Sequence, residues 1–119
     1  MQDLKDRTRS YALRVIKLYD SLATRGVARV LGDQILRSAT SVGAHYREAI
    51  RSRSAAEYAA KMNAGLMELE ETLYWLELLE HSGVTRPGKL TALMDETDQL
   101  TAILVTLIKK AKHRRTVEA

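Results

Sequence analysis

The sequence predicts an all-α fold: an antiparallel up-down-up-down four-helix bundle, formed by a single domain over residues 1–119. The 119 residues include one Pro, six Gly and no Phe, so helix breakers are few and one strand-favouring aromatic residue is absent. Apolar residues recur at helical spacing along four segments. The connections between these segments are short, and short connections place consecutive helices side by side in opposite directions.

The first helix is predicted at residues 3–23. Its apolar face comprises Leu4, Tyr11, Val15, Leu18, Tyr19 and Leu22. Lys and Arg occupy much of the remaining surface. The segment from Thr24 to Gly26 ends the helix, because glycine readily adopts the left-handed backbone that follows many helices.

The second helix is predicted at residues 27–51 and has small residues at its middle. Its apolar face comprises Leu31, Ile35, Ala39, Val42, Tyr46, Ala49 and Ile50. Residues 38–44 read SATSVGA, and these small side chains favour the close approach of a neighbouring helix. A kink at Gly43 is the alternative interpretation.

The third helix is predicted at residues 54–81, with two apolar faces. Ser54 is a good N-cap, Glu57 completes a capping box, and Gly83 is the stop signal. One face comprises Ala55, Tyr58, Ala59, Met62, Leu66, Leu69, Leu73 and Leu76. The other comprises Ala56, Ala60, Met67, Tyr74 and Leu78.

This second face predicts self-assembly. A surface helix of a monomer needs only one apolar stripe, so a helix with two is either central in its own fold or shared with another copy. For a chain of this length we favour the second option and predict that the bundles assemble into a ring. The predicted oligomer interface consists of Ala56, Ala60, Met67, Tyr74, Trp75 and Leu78.

The fourth helix is predicted at residues 86–112. Thr85 is the candidate N-cap, and Pro87 is tolerated in the first turn. The apolar stripe comprises Leu90, Leu93, Met94, Thr97, Leu100, Leu104, Val105, Leu107, Ile108 and Ala111. We expect the helix to fray over residues 112–119.

Composition bounds the partners and the compartment. The formal net charge is +4, which favours an acidic partner. The absence of Cys excludes disulfides, thiolate metal sites and a cysteine nucleophile. The N-terminus lacks the apolar segment of a signal peptide, and no apolar run approaches the ~20 residues of a membrane span. We therefore expect a cytoplasmic protein with no membrane partner.

Two basic clusters are candidate nucleic-acid contacts. The first follows the polar side of the second helix and comprises Arg29, Arg37, Arg47 and Arg51. The second lies at the C-terminal end and comprises Lys109, Lys110, Lys112, Arg114 and Arg115. The alternative is that the first is an ordinary solvated helix face, while the second complements the helix dipole and keeps the protein soluble.

The sequence contains few features that would support catalysis or the binding of a cofactor or metal. Di-iron bundles use Glu-x-x-His motifs, and none occurs among the candidate carboxylates Glu48, Glu70, Glu71 and Glu77. A Gly-rich phosphate loop and a nucleophile elbow are also missing. We expect no catalytic residues, metal or cofactor, and hence no enzyme. A structural role is preferred, in which Glu48, Glu70 or Glu77 pairs with Arg37, Arg47 or Lys61 near a helix interface.

Three segments, residues 34–49, 56–62 and 70–79, resemble the four-helix-bundle family encoded in 23S rRNA intervening sequences. That family is related to the accessory protein of diversity-generating retroelements. The resemblance implies a homopentamer around a central axis. For the retroelement branch it also implies binding to nucleic acid and to a reverse transcriptase. His45 departs from the family pattern, which has Asn there in many members.

These observations predict a non-catalytic, oligomeric scaffold that binds RNA or DNA through its basic surfaces, by shape and charge. The alternative is a protein–protein interaction module in which the basic residues only keep the ring soluble. Salt dependence separates the two, because phosphate binding weakens steeply with salt.

Overall fold

The computed structural model describes the backbone of residues 3–118 and the side chains of residues 3–114. Within that range the chain forms four α-helices: α1 at Leu4–Ser21, α2 at Gly26–Ala49, α3 at Ala55–His81 and α4 at Thr91–Glu118. They pack into an elongated body of 51 × 25 × 20 Å. The predicted all-α class and four-helix architecture are confirmed.

Side-chain capping explains where α1 and α3 begin. Asp3 accepts a hydrogen bond from the Lys5 N–H at the start of α1. Ser54 Oγ accepts from the Glu57 N–H at 3.1 Å, which confirms the predicted N-cap of α3. Gly26 has a φ of 67°, but it opens α2 rather than closing α1, since α1 ends at Ser21.

The predicted start of the fourth helix at residue 86 is wrong, because α4 begins at Thr91. Gly88 has a φ of 85°, a left-handed conformation that interrupts a helical path and that glycine adopts without strain. Pro87 therefore lies in a turn, and the buried Thr85 Oγ1 has no hydrogen-bond partner within the described chain and caps nothing. At its other end α4 stays helical to Glu118, where we had expected fraying.

Helix α3 lies between α2 and α4, and α1 packs chiefly against α2. The predicted stripes supply most of the core, including Tyr11, Ile35, Met62 and Leu100. Ile50 is an exception: its spacing predicts the apolar face of α2, but its side chain is 48% exposed. The central position of α3 accounts for part of its two-faced pattern.

Small residues let the helices approach closely, as predicted. A Cβ placed on Gly43 would lie 3.1 Å from Thr8 Oγ1 of α1. A Cβ on Gly65 of α3 would lie 3.3 Å from Leu104 Cδ2 of α4. Helix α2 runs through Gly43 without interruption, so close packing is the better interpretation of the small residues.

Hydroxyl groups form a polar layer across the middle of the bundle. Tyr11 OH and Thr97 Oγ1 are hydrogen-bonded at 2.6 Å, and Ser38 Oγ and Thr72 Oγ1 at 2.7 Å. These four side chains are buried and come one from each helix. Their satisfied hydrogen bonds link the helices in a single register.

One of the predicted carboxylate pairings forms, between Glu48 of α2 and Lys61 of α3. Lys61 Nζ lies 3.9 Å from Glu48 Oε1, but both side chains are about half exposed. The best-formed pair joins α1 to α4: Arg7 donates to both carboxylate oxygens of Glu96 at 2.8 Å. Hydrogen bonding to Arg7 lowers the pKa of Glu96.

Candidate nucleic-acid interface

The basic stripe of α2 divides into two halves with different environments. Arg29 Nε lies 3.3 Å from Asp33 Oδ1, and its guanidinium lies 5.5 Å from the centre of the Tyr19 ring. Arg37 shares a small cavity with Glu68 and Glu71. Both arginines are exposed, but their charge is partly compensated within the chain.

The other half of the stripe is uncompensated. Arg47 and Arg51 are exposed near the C-terminal end of α2. In the part of the chain with described side chains, neither forms an ion pair with a carboxylate. Of the predicted stripe, these two residues are therefore the better candidates for contact with an anion.

The basic residues of α4 are also exposed. Lys109, Lys110 and Arg114 form no ion pair among the described side chains, and Lys112 is exposed beside them. The side chain of Arg115 lies outside the described residues. The helix carries these cations in regular turns rather than on a frayed tail.

The fold brings the two basic clusters to the same end of the bundle. The α2–α3 connection and the C-terminal part of α4 line one groove, in which Arg53 faces the same space as Lys110 and Arg114. Within the described part of the chain, this basic end comprises Arg47, Arg51, Arg53, Lys109, Lys110, Lys112 and Arg114.

Carboxylates near the basic end are already engaged. Glu48 contacts His45 Nδ1 at 3.3 Å and Lys61 Nζ at 3.9 Å. Glu57 accepts a hydrogen bond from the backbone N–H of Arg53 at 3.3 Å. None of these contacts is made by a guanidinium group of the basic end.

Arg53 and Ser52 were missing from the predicted site. The predicted topology held the signal that identifies them: in an up-down-up-down bundle, the second connection and the C-terminal end of the fourth helix share one end. Residues of that connection therefore had to lie near the C-terminal cations.

The predicted oligomer interface is only partly free. Ala56, Ala60, Met67 and Tyr74 are exposed, with Met67 at 57% and Tyr74 at 54%. Trp75 and Leu78, in contrast, are partly buried against this chain's own core. Tyr74 and Trp75 also contact each other, with ring centroids 5.1 Å apart.

Further exposed apolar side chains lie on α1 and α2, outside the predicted interface. Leu13 is 58% exposed, and Val27 and Val30 are 57% and 61% exposed. Ile16 lies one turn after Leu13 and is 40% exposed. These side chains face away from the core although they belong to helices with well-formed apolar stripes.

The remaining chemistry is limited. Among the described residues, no group of three or more His, Cys, Asp or Glu side chains could hold a metal ion. His45, the residue that departs from the family pattern, lies between Glu48 and Glu68, with Nε2 3.9 Å from Glu68 Oε2. Every helix of the described chain is too short or too polar to cross a membrane.

Comparisons with known proteins agree with this architecture. The family model described as 23S rRNA-intervening sequence protein matches residues 2–106. A crystal structure of a protein with unknown function from the S23 ribosomal protein family of Bacteroides thetaiotaomicron VPI-5482 superposes with a TM-score of 0.84. The two chains are 34% identical, and the alignment covers 90% of this chain and 99% of that one. No curated protein is similar to this chain. The chain therefore belongs to the 23S rRNA-intervening sequence protein family.

Proposed function

We propose that this protein is a non-catalytic, oligomeric scaffold of the cytoplasm that binds RNA or DNA through its basic end. One observation carries the proposal: the fold joins two basic segments distant in sequence into one surface whose arginines lack carboxylate partners. If the basic residues of α2 only formed a solvated helix face, there would be no reason for them to lie next to the cations of α4.

Phosphate contacts supply the binding energy in this mechanism. Each neutralised phosphate releases condensed counterions, so affinity falls steeply with salt. Recognition follows shape and charge, because the described surface has no groove-reading helix motif. Within the predicted set, Arg47, Arg51, Lys109, Lys110, Lys112 and Arg114 contribute most. Arg29 and Arg37 contribute less, since nearby carboxylates compensate them.

Self-assembly multiplies this charge. The exposed apolar surface of α3 differs from that of α1 and α2, and two different patches suit a head-to-tail contact that can close into a ring. The family resemblance implies five copies. Each ring would then present the basic end several times, so that one long nucleic acid could engage several copies at once.

The test is a binding titration of the purified protein against structured RNA and duplex DNA at low and physiological salt. We expect Arg47→Glu/Arg51→Glu to weaken binding by at least about tenfold and to lower the salt slope by about two. The matched control is Arg86→Glu/Lys89→Glu, which changes net charge equally at two exposed positions in the α3–α4 connection, at the opposite end.

Equal loss of affinity in both double variants would show that only net charge matters. Unchanged affinity in Arg47→Glu/Arg51→Glu would remove the end of α2 from the interface. Circular dichroism of each variant excludes unfolding as the cause, and all four substituted side chains are exposed.

A protein-binding role is the second candidate, favoured by the exposed apolar side chains of α1, α2 and α3. The family resemblance implies a reverse transcriptase as the partner in one branch. Capture of such a partner that is insensitive to salt, together with no nucleic-acid binding at low salt, would favour this role over the first.

A further inference from the structure

A groove at the basic end has the dimensions of a small-molecule site. Its volume is about 490 Å³, within the range of roughly 300–1,000 Å³ typical of ligand pockets. The walls come from the α2–α3 connection, the first turn of α3 and the C-terminal part of α4. Both cationic and apolar side chains line the groove. Charges that serve only to keep a protein soluble do not need an apolar wall beside them.

The polar wall is suited to a phosphate group. Arg53, Lys110 and Arg114 approach the groove from two different elements, and none forms an ion pair with a described carboxylate. Arginine can hold two phosphate oxygens at once with its planar guanidinium, and lysine adds a compact positive charge.

Ser52 adds an independent polar feature to this groove. Its Oγ is buried and has no hydrogen-bond partner within the described chain, and the residue lines the groove. Buried hydroxyl groups are almost always hydrogen-bonded, so an orphan one calls for a partner. Because Oγ has almost no accessible surface, the Ser52 side chain has to rotate towards the groove before a phosphate oxygen can accept this hydrogen bond.

The start of α3 adds a further positive contribution. Ser54 O accepts the first backbone hydrogen bond of the helix, from the Tyr58 N–H at 3.0 Å. Ser54 Oγ accepts from the Glu57 N–H. The N–H groups of Ala55 and Ala56 precede these two donors in the first turn, and the positive end of the helix dipole favours an anion there.

The apolar wall is suited to a planar ring. Ile50, Tyr58 and Leu107 line the groove beside the cations, and Ile50 is 48% exposed. Tyr58 is half-buried, and Arg114 lies close enough for its positive charge to act on the phenol group of Tyr58. An aromatic side chain next to a cation is the usual support for a base that follows a phosphate in single-stranded nucleic acid.

We propose that this groove binds a nucleoside phosphate, with the phosphate held by Arg53, Lys110, Arg114 and Ser52 and the base against Tyr58. The nucleotide can be free, or it can be the phosphorylated 5′ end of an RNA strand. In the second form the inference rests on the proposed function and specifies its partner as an unpaired strand end.

The experiment measures binding of the full chain to adenosine 5′-monophosphate, adenosine and inorganic phosphate by calorimetry. We expect the monophosphate to bind about tenfold more tightly than either fragment, because a charge-assisted hydrogen bond and base stacking each add to affinity. Arg53→Gln and Arg114→Gln should each weaken it by about tenfold, and Ser52→Ala by several-fold. Arg86→Gln, at the opposite end, is the matched control.

A short single-stranded RNA distinguishes the two sources of the nucleotide. Tighter binding of the 5′-phosphorylated strand than of its 5′-hydroxyl form, with the difference abolished by Arg53→Gln, assigns the groove to strand ends. Equal binding of the two strands, with monophosphate binding retained, assigns it to the free nucleotide.

The outcomes separate this inference from the proposed function. Absence of monophosphate binding, or equal affinity in wild type and all three groove variants, overturns the nucleotide site even where RNA and duplex DNA still bind. Monophosphate binding without any binding of RNA or DNA supports the groove and overturns the scaffold function.

Discussion

Tyr11 shows how one buried side chain sets a property of the whole fold. Its hydroxyl is hydrogen-bonded to Thr97 at 2.6 Å, and the residue is fully buried. Burial raises the pKa of Tyr11 from 10.0 to about 12, because the phenolate would lose its solvation inside the bundle. The buried site therefore stabilises the neutral, hydrogen-bonded phenol relative to the phenolate.

This pKa shift predicts loss of stability at high pH. The raised pKa in the folded state means that the stabilisation is complete below pH 10 and is lost as pH rises towards 12. A shift of this size is worth on the order of 2 to 3 kcal/mol in free energy of unfolding. Urea unfolding at several pH values from neutral to alkaline measures the loss.

Tyr11→Phe provides the control for that measurement. It should cost about 1 kcal/mol at neutral pH, because the hydrogen bond to Thr97 is removed, and it should flatten the alkaline decline. Burial also raises the pKa of Tyr46 and Tyr58, so a smaller decline should persist. An equally steep decline in Tyr11→Phe would contradict the assignment to this residue.

At the scale of the elements, two helix contacts depend on glycine. Gly43 lies against Thr8, which is buried and donates a hydrogen bond to Lys5 O, so it has little freedom to move. Gly65 lies against the flexible end of Leu104. We therefore expect an added methyl group to be tolerated better at Gly65 than at Gly43.

Gly43→Ala should destabilise the fold by about 1 to 2 kcal/mol, since overpacking against Thr8 exceeds the gain in helix propensity. In a Thr8→Ala background, the conflict with Thr8 Oγ1 is removed and the same substitution should be neutral or stabilising. Thermal or urea unfolding of the four proteins in this double-mutant cycle measures the coupling. Additive effects would rule out the contact as the cause.

At the scale of the whole molecule, apolar side chains remain exposed on α3 and also on α1 and α2. Met67 and Tyr74 project from the central helix, and Leu13 and Val30 project from the first two. Exposed apolar patches on a small bundle are typical of interaction surfaces. They complement the basic end, which offers charge but little means of self-association.

Met67→Glu/Tyr74→Glu should therefore convert the assembly to a smaller species or a monomer, with little change in the thermal stability of the bundle. Light scattering coupled to size-exclusion chromatography measures the mass. The control, Ala102→Glu, places a single negative charge at an exposed apolar position of α4 and should leave the mass unchanged. An unchanged mass in the double variant would show that this surface is not the interface.

The sequence by itself determined the fold class, the helix number and most of the core, because apolar spacing of 3.6 residues follows directly from helix geometry. It also determined the N-cap at Ser54, since capping involves residues only three apart. It misplaced the start of α4, where the left-handed backbone of Gly88 outweighed a plausible N-cap and Pro87.

Only the tertiary structure decided which charges and apolar groups are free. Arg29 and Arg37 look equivalent to Arg47 and Arg51 in sequence, yet carboxylates compensate the first pair and not the second. Trp75 and Leu78 belong to the exposed side by spacing, yet neighbouring helices partly cover them. The groove joins Arg53 to Arg114 across 61 residues. Contacts of this kind depend on how helices pack, and short-range periodicity carries no information about packing partners.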